Sequence, residues 1–225
     1  MPVITINGPI GSSTVEVGHL VSEILQLDYV DRQVLAQAAR LVNSPVAALV
    51  HREQRPTGFR DRLSRLLTSL LEQESYVGLD FGLAAENLPA ESFAQLGGAG
   101  RVDDNAFIAA TSTVIKELAD GGDVVIIGRN SNLILADTPG VFHVGLLASE
   151  RRRIANVMRR DHLSQDEAET YLAEAEKARI NLSRKVFKTN PNDPSAYHLM
   201  LNLGATSDAA VADIIIRASQ GLFPG

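Results

Sequence analysis

An α/β fold built on a parallel sheet covered on both faces follows from three features of the sequence. Short β-branched runs alternate with segments of helical periodicity along the chain. The run "DVVIIG" is apolar on both of its faces, as a central parallel strand must be. The opening stretch "VITINGPIGSSTVEVG" carries an apolar strand-like run into a glycine-rich turn and then into a helical pattern.

Residues 2 to 7 form the first strand, and Val17, Leu20, Val21, Ile24 and Leu25 give 14 to 26 the spacing of a helix. "LDYVDRQVL" reads as a second strand over 28 to 30 that runs into a helix from Asp31 to Val42. Asn43, Ser44 and Pro45 mark a break. Leu63, Leu66, Leu67, Leu70 and Leu71 make 59 to 75 an amphipathic helix, suited equally to a core or to a homodimer interface. Residues 77 to 102, rich in Gly, Ala and Pro, read as a loop. A helix over 103 to 119 then leads into "DVVIIG", and "VFHVGLLA" (141 to 148) is another buried strand. Helices follow at 149 to 160 and 164 to 187, then the strand "HLMLNL" and a last helix over 207 to 219. The whole of 1–225 reads as a single domain.

Composition narrows the function classes. The 225 residues are 45% hydrophobic, enough for a sizeable core, and contain no cysteine, which excludes disulfides and thiolate metal sites. "MPVITING" lacks the basic and apolar regions of a signal peptide. No apolar stretch approaches the ~20 residues needed to span a bilayer. The net charge of −6 argues against nonspecific nucleic-acid binding. A cytoplasmic protein with small-molecule partners, and neither nucleic acid nor membrane among them, is expected.

Four stretches carry candidate chemistry. Gly8 and Gly11 allow backbone N–H groups to converge, and a helix N-terminus behind them favours an anion. A full phosphate-binding loop would place Lys where Thr14 stands. Ser13 and Glu16 also have capping-box spacing, which would satisfy the same N–H groups internally. In "YVDRQVL", Asp31 ends a strand where open α/β sheets bind ligands. It could orient an acceptor or metal, with Arg32 on a phosphate, or it could simply cap a helix. In "VVIIGRNSNLIL", Arg129 and Asn130 lie at that same edge, where a guanidinium can grip phosphate at two points. The basic tract "SERRRIANVMRRD" with "EKARINLSRK" offers Arg153, Arg179 and Arg184 to neutralise a transferred phosphoryl group, against a solvated face paired with nearby acids. The five histidines show no metal spacing, and Asn202 reads as either a base contact or the start of a turn.

With those residues in hand, the chain resembles the cytidylate-kinase-like family of P-loop nucleoside monophosphate kinases over roughly 1 to 43 and 102 to 217. "YVDRQVL", the Gly-Arg turn, the arginine-bearing helix and "NDPSAYHLMLNLG" follow its pattern in order. The resemblance implies a three-layer α/β/α P-loop kinase fold with a parallel sheet, a helical acceptor-binding insertion over 44–101 and a lid over about 151–190. It implies transfer of the ATP γ-phosphoryl, with Mg2+, to a nucleoside monophosphate, CMP or dCMP first. By carry-over, Gly8, Gly11, Ser12, Ser13 and Thr14 would hold the donor phosphates, and Arg32, Arg129 and Asn130 the acceptor. Asp31, Arg153, Arg179 and Arg184 would act on the transferred group. Ser13 replaces a family glycine, Val15 an arginine, and Asn130 a glycine or acid. A catalytically impaired nucleotide- or metabolite-binding protein of the same fold, with a regulatory role, is the alternative.

Overall fold

The computed structural model describes residues 2–31, 104–204 and 206–222. The chain forms two compact units, one of Met1–Tyr29 with Ala119–Gly225 and one of Val30–Leu118. Arg32, the helix expected from Asp31 to Val42, the amphipathic helix over 59 to 75 and the 44–101 insertion lie outside the described residues, apart from Asp31 itself.

The described elements are β1 (Val3–Asn7), α1 (Thr14–Leu25), β2 (Asp28–Val30), α2 (Asp104–Gly121), β3 (Val124–Ile127) and α3 (Ser131–Ile134). They continue with β4 (Val141–Leu147), α4 (Glu150–Asp161), α5 (Gln165–Phe187), a 3-10 turn (Pro194–Ala196), β5 (Leu199–Asn202) and α6 (Asp208–Leu222). The strands stand in the order β2-β3-β1-β4-β5. The β1–β3, β1–β4 and β4–β5 pairings are parallel, with Ile6 opposite both Ile127 and Val144. β1 therefore lies between strands that lead to opposite edges, which makes its C-terminal end the switch point where such sheets bind ligands. Among the described residues no helix is long and apolar enough to cross a membrane.

Strand alternation sets the two faces apart. Ile4 and Ile6 of β1, Val125 of β3 and Val144 and Leu146 of β4 are buried in one cluster with Val17 and Val21 of α1 and Val211 and Ile215 of α6. Gly18 of α1 allows this approach, because a Cβ there would meet Ile127 Cδ1 at 2.4 Å.

The opposite face has a polar centre. Thr5 Oγ1 lies 2.8 Å from His143 Nδ1, and the His143 backbone N–H donates to His198 Nδ1 at 3.0 Å. Burial first, and then the neighbouring His198, lower the His143 pKa to about 4. Folded His143 thus stays neutral while the unfolded chain takes up a proton as pH falls below about 6.5, so its contribution to stability is present at neutral pH and lost on acidification. A loss of about 2 kcal/mol is expected between about pH 7.5 and pH 5. Urea titrations at the two pH values would show a smaller loss in His143→Gln; parallel profiles would remove His143 as the cause.

Candidate active site

The glycine turn leaves β1 at the switch point, and its backbone is set by what crowds it. A Cβ on Gly8 would lie 2.3 Å from the Leu146 carbonyl oxygen and 2.6 Å from Ser12 Oγ. Gly11 has φ +82°, and a Cβ there would sit 2.7 Å from the Arg153 carbonyl oxygen. The Ser12 N–H and hydroxyl both donate to the Pro9 carbonyl, at 3.1 and 2.6 Å, which closes the turn.

Ser13 then enters α1 in the left-handed region (φ 58°), and its hydroxyl makes no capping hydrogen bond. The capping box offered by the Ser13–Glu16 spacing is therefore not formed. In that backbone conformation the Ser13 side chain turns away from the first-turn N–H groups, and its Oγ accepts from Asn156 Nδ2 at 3.1 Å. The anion-favouring end of α1 stays free of a Ser13 cap. Arg160 is held charged chiefly by its hydrogen bond to Asp161, with Glu16 of that first turn adding a smaller share.

Helices α4 and α5 dock directly on this turn. Ile10 packs against the cluster of Val157, Ala168 and Leu172 that joins them. Asn156 Nδ2 also donates to the Gly11 carbonyl at 2.8 Å. Arg152 fastens α4 to the β5–α6 connection: its guanidinium donates to the Leu203 and Thr206 carbonyls and to Asp208 Oδ1, the latter two at 2.8 and 2.9 Å. Arg152→Ala should cost about 2 kcal/mol, since several acceptors lose a charged donor at once. Arg152→Lys should recover less than half of that in urea denaturation, because one ammonium cannot fork across the set. Full recovery by Lys would exclude the fork as the stabilising feature.

The arginines of the basic tract meet on α4 and α5. Glu176 Oε2 and Oε1 accept from Arg179 Nε and Nη2 at 3.1 and 2.7 Å, and Arg153 Nη1 stands 3.9 Å from Oε2. Arg179 Nη2 also donates to Asn192 Oδ1. Burial pushes the Glu176 carboxyl up, but Arg179, Asn192 and Arg153 outweigh it and hold the group below the usual range. Arg153, Glu176, Lys177 and Arg184, with Leu172 and Ile180, line an open cavity of about 370 Å³. Two acids of these helices are engaged elsewhere, Asp161 on Arg160 and Glu167 in a capping box with Ser164, while Glu150 also borders the cavity.

At the end of β3, Gly128, Arg129 and Asn130 are all left-handed, with φ of 73°, 59° and 53°. Such a backbone costs on the order of 1 kcal/mol for each non-glycine residue and is stored where surrounding structure enforces it. The Gly128 N–H donates to the Ile6 carbonyl, and Asn7 Nδ2 donates to Ser131 Oγ at 3.0 Å, so this turn is bonded to the end of β1. Asn130 begins α3, its carbonyl accepting from Leu133 and Ile134. Asp31 follows β2, is buried, and belongs to the other unit. Asn202 takes the turn role, its Oδ1 accepting from the Gly204 N–H at 3.1 Å. Sequence reading did not single out Asn156, Glu176 or Asn192; for Glu176, the i,i+3 spacing to Arg179 was the available signal.

A parallel sheet whose central strand ends in a glycine turn, backed by a helix N-terminus and faced by arginine-bearing helices, defines the P-loop kinase class of fold. Solved structures agree on the fold. One is a protein from Eubacterium ventriosum (TM-score 0.64, 14% identity, covering 98% of this chain and 99% of that one). Another is shikimate kinase from Acinetobacter baumannii in complex with shikimate (TM-score 0.50, 14% identity, covering 98% and 94%). The family model of the cytidylate kinase-like family matches residues 3–205, and the chain belongs to that family. It is also 24% identical over 144 residues to a uronate isomerase of Corynebacterium glutamicum, a match covering 63% of this chain and 27% of that protein. The chain thus spans about a quarter of the length of that curated relative.

Proposed function

We propose that the protein transfers the γ-phosphoryl group of ATP to a nucleoside monophosphate, CMP or dCMP first. The observation that carries this reading is the docking of α4 on the glycine turn. The Arg153 backbone walls Gly11 while its side chain joins Arg179 at Glu176 and lines one cavity with Arg184. Family membership supports the phosphotransferase class.

The residues present fit a polyphosphate better than a resident metal ion. The first turn of α1 keeps its N–H groups clear of the Ser13 hydroxyl, as phosphate oxygens require. Val15 stands where a phosphate loop places its metal-binding hydroxyl, and no cluster of three or more His, Asp or Glu occurs among the described residues. Mg2+ therefore enters with ATP as part of the substrate. The Gly8–Ser13 backbone and Thr14 hold the donor, and Arg129 and Asn130 at the adjacent strand end orient the acceptor. An acceptor phosphate oxygen forms the new bond to the γ-phosphorus as the bond to the β,γ-bridging oxygen breaks, releasing ADP. A monophosphate oxygen already carries charge, so no general base is needed for this step. Positioning and charge neutralisation by Arg153, Arg179 and Arg184 supply the catalysis, in place of the missing lysine.

A second reading has its own observation. Arg153 and Arg179 are already engaged by Glu176, and Thr14 carries no charge, which suits a regulatory binder of the same fold. Thermal-shift titration with ATP-Mg2+ and with each monophosphate separates the two. Stabilisation by both ligand classes, with ADP release in a coupled assay, is expected for the transferase. Stabilisation by one class without turnover would establish the binder, and stabilisation by neither would remove both readings.

A further inference from the structure

Glu176 lies where the anion of a ligand would be expected. Its carboxylate takes Arg179 in a two-point grip, at 2.7 and 3.1 Å, and stands 3.9 Å from Arg153. Asn192 closes the group: its Nδ2 is 3.5 Å from Glu176 Oε1, and its Oδ1 accepts from Arg179. The Arg153, Glu176 and Arg179 side chains are only 15% to 18% exposed, so two guanidiniums held this close would repel strongly without an anion between them. Yet Glu176 also borders the cavity, beside Lys177 and Arg184. Among the described residues neither of those cations forms an ion pair, so both are available to draw an anion in.

We infer that Glu176 is an internal stand-in for a phosphate group, holding Arg153 and Arg179 together while the cavity is empty and releasing guanidinium contacts to an incoming phosphoanion. A carboxylate offers one charge and two oxygens. A terminal phosphate offers up to two charges and three oxygens, so the exchange favours the ligand once it reaches the cavity. Glu176 is thus a positioning residue: it acts through the arginines, and its bonds compete with the ligand. This rests on the reading of the arginine set as a phosphate clamp and adds its gating element.

Isothermal titration of the full chain with inorganic tripolyphosphate tests the exchange without requiring turnover. Glu176→Gln should bind about tenfold more tightly than the unaltered protein, because the competing charge is gone while the side-chain shape remains. Glu150→Gln deletes a charge from the same cavity wall, outside any ion pair among the described residues, and should gain no more than about threefold. The double variant Glu176→Gln/Arg179→Ala should lose the gain. Should Glu176→Gln melt below the working temperature, Glu176→Asp carries the test, since the shortened acid loses the two-point grip and should also bind more tightly. Equal gains in the Gln variants at 150 and 176, or weaker binding in Glu176→Gln, would overturn the stand-in role and leave the clamp intact. An unchanged gain in the double variant would place the anion elsewhere. No tripolyphosphate binding in any variant would overturn the clamp itself, and the stand-in with it.

Discussion

Gly8→Ala is expected to be the most damaging single-methyl change in the glycine turn, costing about 3 kcal/mol or more. The added Cβ would fall 2.3 Å from the Leu146 carbonyl oxygen and 2.6 Å from Ser12 Oγ. The serine could rotate, but the carbonyl belongs to β4 and cannot retreat without opening the β1–β4 pairing. Gly128→Ala is the matched control. Gly128 has φ +73° but nothing within 4 Å of its Cβ position, so only backbone strain of about 1 kcal/mol is added. Urea denaturation of the two variants should therefore differ by about 2 kcal/mol or more. Equal midpoints would mean that the turn is not seated beneath β4. Donor binding should fail in Gly8→Ala even where the protein remains folded, because the same displacement moves the N–H groups that face the phosphates.

The second large effect is on turnover. Arg179→Ala should lower kcat by about 10² to 10³, the usual result of removing one preorganised donor from a developing phosphoryl charge. It also strands the Glu176 carboxylate, 16% exposed, with Arg153 at 3.9 Å as its nearest cation, so a stability loss of about 1–3 kcal/mol should accompany the rate loss. Arg179→Lys should restore much of the stability but little of the rate, since an ammonium cannot reproduce the two-point geometry. The separation of the two readouts is the informative part. If Arg179→Ala keeps kcat within about threefold while losing stability, Arg179 is an architectural residue and leaves the catalytic set.

The capping assignments show how far local pattern reaches. Ser13–Glu16 and Ser164–Glu167 have the same spacing, yet only the second forms a capping box. Ser164 precedes α5 with an extended backbone, as capping requires, with nothing to oppose it. Ser13 follows the tight turn closed by Ser12 on Pro9, which delivers it left-handed and points its hydroxyl at Asn156, 143 residues away. The arginines repeat the lesson. Arg152 reads from spacing as one of several solvated charges, but the neighbouring β5–α6 loop makes it a fastening point. Arg153 and Arg179 are identified by type and position, while the acid that joins them becomes evident only when α4 and α5 lie side by side.

Among the described residues, the order of the strands and long helices, the buried interior place of "DVVIIG", the glycine turn and the kinase-like class were all present in the chain itself, because alternation, periodicity and glycine placement are local constraints that a sequence states directly. What the tertiary structure decided was which polar groups meet: Asn156 on Gly11, Arg152 on the β5–α6 loop, and Glu176 between two guanidiniums. Such pairings depend on contacts between helices and turns far apart in the chain, where a few ångströms separate a solvated charge from a buried partner and no periodicity records the difference.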